Sequence, residues 1–291
     1  GAEQPGDICH GRTVSEVVQS RMDTYAEGDI VFNTNGWQAW GLTGANIDVF
    51  GYMFPRKIDP ILAPISTAIG VMGMLGLTAY AGLVVQCEPK PGDTLVVSAA
   101  SGGVGQVVCQ LGRLYGCRVV AIAGSDEKLE YLKTLGVDAV VSHRSPGFAE
   151  ELRQACHDGC DIYFENVGGA VFEGVLPLLN VHARISLCGL ISQYGNDDGQ
   201  DPRSLWRTRG NAAFERNSVV VHDLFVGNFV AQYQDRFLEE MGGYLRAGDV
   251  RYLEDKRLGL ENTPAVFAQM LAGGTLGKTL VVVSEDPTLS S

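Results

Sequence analysis

The chain has 291 residues, 45% hydrophobic and 19% charged, with a formal net charge of −12. Length and composition describe a globular protein with room for two cored domains, and acidity of this size disfavours nucleic acid and membrane as partners, because both present negative charge. No apolar run reaches the ~20 residues that span a bilayer, and the seven scattered cysteines read as a reduced, cytoplasmic pattern rather than a disulfide framework.

The chain opens at Gly1 without an initiator Met, which reads as a fragment or a processed start. Thr13 to Ser20 alternates toward a strand, Glu27-Gly28-Asp29 turns, and Ile30 to Phe32 makes a second strand in a β-rich region running to about residue 45. Trp37 and Trp40 near its end are expected in the core. Residues 44–60 carry turn signals and read as loop. Pro64 to Leu83 reads as helical, with a glycine-flanked break at Gly73-Met74-Leu75-Gly76. That break puts Met74 at a joint between domains, where ligand clefts form, or leaves it as core filler.

From Asp93 onward strands and helices alternate. Strands are expected near 95–100, 118–123, 139–142, 161–165, 183–188 and 218–221, with helices between them that include 126–135, 146–156 and 170–179. Such alternation implies an α/β fold with a doubly wound parallel sheet, whose ligands lie beyond the carboxyl ends of the strands. A long helix at 229–245, another at 263–272 and a closing strand Thr279 to Val283 follow. The closing strand comes after the sheet is complete and is expected to rejoin the β-rich N-terminal region.

The densest signal is Leu95 to Leu114. A β-branched run ends in Ser98-Ala99-Ala100-Ser101, three glycines follow at Gly102, Gly103 and Gly105, and Val104, Val107, Val108, Leu111 and Leu114 then fall at helical spacing. Strand, glycine turn and helix present unpaired N–H groups and a helix dipole to a phosphate, and Ala100-x-Gly102-x-x-Gly105 approximates the dinucleotide fingerprint with its first glycine replaced. An NAD site usually carries an acid about 20 residues beyond the glycines. Here the second strand ends at Gly124-Ser125 with Lys128 in the next turn, leaving room and positive charge for a 2′-phosphate, so NADP(H) is favoured. Asp126 and Glu127 argue mildly against this, although acids in a first helical turn commonly compensate the dipole. Cys156 and Cys160 are the one close cysteine pair and lack further ligands at metal spacing, so no metal is expected.

Several pieces together resemble the medium-chain dehydrogenase/reductase superfamily, in its zinc-independent branch of NADPH-dependent double-bond reductases acting on alkenals, prostaglandins, leukotrienes and curcumin. The carrying motifs are Gly73-Met74-Leu75-Gly76-Leu77-Thr78-Ala79-Tyr80, Ala99 to Gly105, Ala123-Gly124-Ser125-x-Glu127-Lys128, Asp161 to Gly169, Ile191-Ser192-Gln193-Tyr194 and Gly277-Lys278. The resemblance implies a Rossmann NADP-binding domain at 76–248 and a GroES-like β-rich catalytic domain from both chain ends, 1–75 and 249–291.

The resemblance also implies site residues. Ser101, Gly102, Val104 and Gly105 would hold the pyrophosphate turn, and Gly124, Lys128, His143 and Arg144 the 2′-phosphate. Asn166, Gly168, Cys188, Phe225, Val226, Thr275 and Gly277 would line the ribose and nicotinamide side. Tyr194 would bond the substrate carbonyl or the nicotinamide ribose, and Met74 and Thr78 would lie at the substrate cleft. The chain departs from the family where Ser142-His143-Arg144 replaces Asn-Tyr-Lys, Thr275 replaces a cofactor-contacting Asn, and Leu75 replaces a Pro. The family's opening segment is absent from these residues, and His10-Gly11-Arg12 lacks the His-Glu pattern of zinc enzymes. The function implied is NADPH-dependent reduction of an enone or enal in a cytoplasmic homodimer. The rivals are a quinone oxidoreductase of the same superfamily and an NADP-binding protein without turnover.

Overall fold

The computed structural model describes residues 4–44, 54–193 and 199–289. The N-terminal strands are β1 Thr13–Glu16, β2 Ile30–Asn33 and β3 Arg56–Lys57, paired antiparallel in the order β1-β2-β3. β1 ends four residues earlier than its alternation suggests, and β3 is a short strand in a stretch expected to be loop. Trp37 is half-buried, its ring 5.7 Å from Phe267, whereas Trp40 is 73% exposed and does not join the core.

The expected helix from Pro64 is broken earlier than its glycines suggest. A 3-10 turn Ile65–Ile69 ends where the Thr67 carbonyl accepts the N–H groups of Gly70 and Met72, and α1 Met74–Ala79 starts afresh from Gly73. α1 continues as a wider π-turn segment, Tyr80–Gln86. The break therefore precedes Met74, which opens the new helix.

The central layer consists of β4 Thr94–Val97, β5 Arg118–Ala123, β6 Ala139–Ser142, β7 Cys160–Glu165, β8 Leu179–Leu187 and β9 Val220–Asp223. All neighbours are parallel and the order is β6-β5-β4-β7-β8-β9. Burial on both faces explains the continuous apolar runs. Alternate residues supply opposite cores: Val97, Ala121 and Phe164 face one side, Val96, Val120 and Tyr163 the other. The first core is covered by α1, α2 Gly105–Leu114 and α7 Gly227–Ala247. The second is covered by α4 Phe148–Ala155, α5 Gly169–Val175 and α6 Pro202–Asn217. α3 Asp126–Thr134 links β5 to β6.

The chain closes with β10 Glu254–Leu258, α8 Thr263–Leu271 and β11 Lys278–Val282. β11 pairs in parallel with β10 rather than joining the N-terminal strands, which corrects the expectation for the closing strand. The two chain ends still meet through side chains. Besides Trp37 and Phe267, Ser66 Oγ donates to Glu254 Oε2 at 2.8 Å.

Candidate functional site

The sheet order reverses between β4 and β7, so the chain leaves their carboxyl ends in opposite directions and opens a crevice there, the usual ligand position in a doubly wound sheet. On the β4 side the turn runs through Ala99, at φ 47, into α2. A Cβ on Gly105 would stand 2.4 Å from the Ala99 carbonyl oxygen, so only glycine lets the helix start this close to the turn. Gly102 bridges to Gly277 and the Gly277 N–H donates to the Ser101 carbonyl at 3.1 Å. The structure thus brings Ser101, Gly102, Gly105 and Gly277 together, with Val104 as the residue before α2 and Thr275 half-buried on the approach to Gly277.

On the β7 side a buried carboxylate organises the turn. Glu165 is fully buried, and its Oε1 accepts from Ser98 Oγ at 2.9 Å and from the N–H groups of Val167 and Gly168 at 2.7 and 3.0 Å. Its Oε2 accepts from Trp206 Nε1 at 3.1 Å. Four donors replace the water that burial removes, which is what a carboxylate without a cation requires. Ser98 also accepts the Asn166 N–H on its Oγ, and Asn166 Nδ2 donates to the Ser98 carbonyl, both at 2.8 Å. The ends of β4 and β7 are therefore locked together, and Gly168, at φ 77, turns the chain into α5. Ser98 and Glu165 carry this arrangement without having stood out as site residues. The signal available was a small polar residue and an acid, each closing an otherwise apolar strand.

Cys188 follows β8, its N–H donating to the Glu165 carbonyl at 2.9 Å, and burial pushes its thiol up to about 12. Leu224 donates its N–H to the Leu187 carbonyl at 3.2 Å, which brings the exposed Phe225 and the buried Val226 beside the end of β8. Tyr194 lies outside the described residues.

The end of β5 gathers two cationic side chains, Lys128 and Arg144, and the imidazole of His143. A Cβ on Gly124 would stand 2.6 Å from His143 Cε1 and 3.2 Å from Arg144 Nε, so both side chains lie over this glycine. Lys128 Nζ donates to the Gly273 carbonyl at 2.8 Å, tying α3 to the C-terminal segment. Burial is the main cause that lowers both the Lys128 and the His143 pKa, followed by the Arg144 charge. A cluster whose members discourage one another's protons is stabilised by an added anion.

A family description, zinc-binding dehydrogenase, matches residues 103–222. The chain is 39% identical over 285 residues to the NADPH-dependent curcumin reductase of Escherichia coli, covering 97% of this chain and 79% of that protein. It is 37% identical over 278 residues to prostaglandin reductase 1 of Mus musculus, covering 95% and 82%. Among solved structures, CurA of Vibrio vulnificus in complex with NADPH superimposes with a TM-score of 0.83 at 40% identity, covering 95% of this chain and 80% of that one. The chain belongs to the medium-chain dehydrogenase/reductase superfamily, in its branch of enone double-bond reductases. Its fold is shared more widely: a quinone oxidoreductase of Escherichia coli reaches a TM-score of 0.71 at 18% identity.

In this family member the two expected substrate-cleft residues have different environments. Met74 borders a cavity between α1, α7 and the N-terminal strands. Thr78 is buried and turns its hydroxyl back onto the Met74 carbonyl, at 2.6 Å, within its own helix. Among the described residues no group of three or more His, Cys, Asp or Glu could hold a metal ion, and no helix is long and apolar enough to cross a membrane.

Proposed function

We propose that the chain reduces the carbon–carbon double bond of α,β-unsaturated ketones and aldehydes with NADPH. The observation that carries this is the cluster at the end of β5. His143 and Arg144 lie over a glycine where a ribose-binding acid would otherwise stand, with Lys128 close enough to feel the Arg144 charge, which suits a 2′-phosphate and disfavours NAD. The glycine-dependent turn at Gly105 and the Ser101–Gly277 contact supply the cradle for the pyrophosphate.

Bound in this crevice, NADPH supplies hydride to the β-carbon of the substrate. The protein's part is to orient and to stabilise. Asn166 and Gly168, fixed by Ser98 and Glu165, would hold the ribose and nicotinamide side, and Phe225 and Val226 would lie against the ring. Negative charge develops on the substrate oxygen, and Tyr194 donates the hydrogen bond that stabilises it. Met74 forms the cleft side with Thr78 behind it, its hydroxyl held by the Met74 carbonyl, and solvent suffices to protonate the α-carbon.

The domain division follows the same reading: 76–248 binds the cofactor, while 1–75 and 249–291 form the catalytic lobe. The Trp37–Phe267 and Ser66–Glu254 contacts between the chain ends support it. The seven free cysteines fit a cytoplasmic setting. The exposed edge strand β9 fits a homodimer. The missing His-Glu pattern at His10 fits zinc-independent chemistry.

The test is steady-state turnover of a medium-chain alkenone and a quinone with NADPH and with NADH. Turnover of the alkenone that depends on NADPH, and is lowered by Tyr194→Phe without loss of cofactor binding, is the expected result. A preference for the quinone would replace the reading with a quinone oxidoreductase. Binding of NADPH with no turnover would leave a nucleotide-binding protein.

A further inference from the structure

The side of α6 that meets the sheet carries more than its buried tryptophan. Arg203, Trp206 and Arg207 stand three and four positions apart, so they share one face of the helix. Each reaches the end of a strand. Trp206 bonds Glu165 at the end of β7. Arg203 Nη1 donates to the Leu187 carbonyl at 3.3 Å and to Asp223 Oδ1 at 3.1 Å, and its Nη2 donates to the Cys188 carbonyl at 3.4 Å. Arg207 Nη2 donates to the other Asp223 oxygen at 2.6 Å. One carboxylate is thus held by two guanidinium groups, and one of those groups also spans the end of β8. The Asp201 cap fixes the turn that starts this face, accepting from the N–H groups of Arg203 and Ser204 at 3.3 and 3.0 Å.

Asp223 is the last residue of β9, and Leu224, Phe225 and Val226 follow it into α7. Among the described residues β9 stands last in the sheet order and pairs with β8 on one side, so backbone bonds hold it less firmly than an inner strand. Side chains then decide how the loop beyond it sits. Besides the two arginines, Gln86 Nε2 donates to the Asp223 carbonyl at 3.3 Å from the π-turn segment. The Leu187 carbonyl that accepts Arg203 also accepts the Leu224 N–H at 3.2 Å. Arg203 is therefore the side chain that joins the end of β8, the end of β9 and the first turn of α6.

We propose that Arg203 is a positioning residue for hydride transfer, acting through Asp223 and the end of β8 to hold Phe225 and Val226 where they set the nicotinamide against the substrate. The inference rests on the reductase reading and on the place it gives those two residues beside the ring. Exposure separates positioning from stability. The Arg203 and Arg207 side chains are each 41% exposed and that of Asp223 58%, and ion pairs so open to water add little to folding. Rate is more sensitive, since a misplacement of about 1 Å costs on the order of a hundredfold. A guanidinium suits the task because its donors lie in one rigid fork and reach three acceptors at once, which a single ammonium point charge does less well.

The test follows a single turnover of the full chain, loaded with NADPH and mixed with a saturating medium-chain alkenone, through loss of the reduced-nicotinamide absorbance. Arg203→Met is expected to slow this step by about tenfold or more. The Kd for NADPH, set by the glycine turn and the β5 cluster, should change by less than about threefold, and the unfolding midpoint by less than about 2 °C. Arg203→Lys should recover part of the rate, and Asp223→Asn should slow it as Arg203→Met does. The double variant should be no slower than either single one, because two residues acting through one contact do not add. Arg209→Gln, which removes an ion pair with Glu173 elsewhere on α6, should leave the rate as it was. If Arg203→Met does not fold, Arg203→Lys and Asp223→Asn decide. An unchanged rate in these variants, or a fall in rate matched by equal falls in NADPH affinity and stability, overturns the inference and leaves the reductase reading standing. No turnover in the unaltered chain overturns both.

Discussion

Lys128 shows how a single side chain can be read in two ways from sequence. A lysine in the second half-turn of a helix is ordinarily a solvated charge, but here it is half-buried, bonded to the Gly273 carbonyl and close enough to Arg144 for the two charges to oppose each other. Removing one charge-assisted contact to a phosphate costs about 1.5–3 kcal/mol. Lys128→Ala should therefore raise the KM for NADPH by about ten- to a hundredfold while leaving that for NADH nearly unchanged, which steady-state kinetics with both cofactors would check. Glu165 makes the opposite case, a charge without a cation. Glu165→Gln keeps the shape but turns an amide NH2 toward N–H or O–H donors, which is expected to cost about 2–4 kcal/mol and to lower the urea midpoint. The same change should raise the KM for NADPH, since the Asn166–Gly168 turn loses its anchor. Histidine sets a pH dependence. His143 and His222 both have pKa values lowered chiefly by burial. The unfolded chain then takes up protons first as pH falls, so stability present above the unfolded histidine value of about 6.5 is lost below it, toward the folded values. Thermal unfolding without cofactor should show a falling midpoint between about pH 7 and 5.5, with a shallower slope in His143→Asn.

At the scale of elements, legibility tracks how much of each segment is buried on its own. β4, β5 and β7 are buried on both faces and announce themselves as apolar runs, and α2 buries every residue from Gly105 to Gly112. α6 went unread because, of its sixteen residues, only Trp206 and Gly210 are buried, so no apolar stripe marks it. What holds it is specific: Asp201 caps its first turn, and Trp206 stacks on Phe172 at 4.3 Å and bonds Glu165. β10 went unread because Glu254-Asp255-Lys256-Arg257 is a charge run, and only pairing with β11 makes it a strand. Two glutamines on α2 then tie this C-terminal segment to the layer over the parallel sheet. Gln110 donates to the Arg251 carbonyl at 2.8 Å and accepts its N–H at 2.7 Å, and Gln106 accepts the Leu253 N–H at 3.0 Å. Gln110→Ala leaves a backbone pair without partners and should cost about 1–3 kcal/mol. Hydrogen exchange would show it as faster exchange at the Arg251 amide, with the β4 amides unaffected.

For the molecule as a whole, the order of motifs along the chain carries the family, and the sheet order puts those motifs around one crevice. The glycine turn, the Gly124–Lys128 segment and the Asn166–Gly168 turn were each legible locally. Their convergence was not, because it depends on crossovers that place β7 beside β4 and on the Gly102–Gly277 bridge between segments far apart in sequence. The pairing of the closing strand was misjudged for the same reason: a five-residue apolar strand carries no information about its neighbour. The claim that unites these levels is that the crevice selects NADPH through the β5 cluster and delivers its hydride to an enone. The most direct measurement is the rate of NADPH loss with a medium-chain alkenone, compared with NADH at equal concentration and repeated for Lys128→Ala. The account predicts turnover with a strong preference for NADPH that Lys128→Ala largely removes. Equal rates with NADH, or a preference indifferent to Lys128, would contradict it.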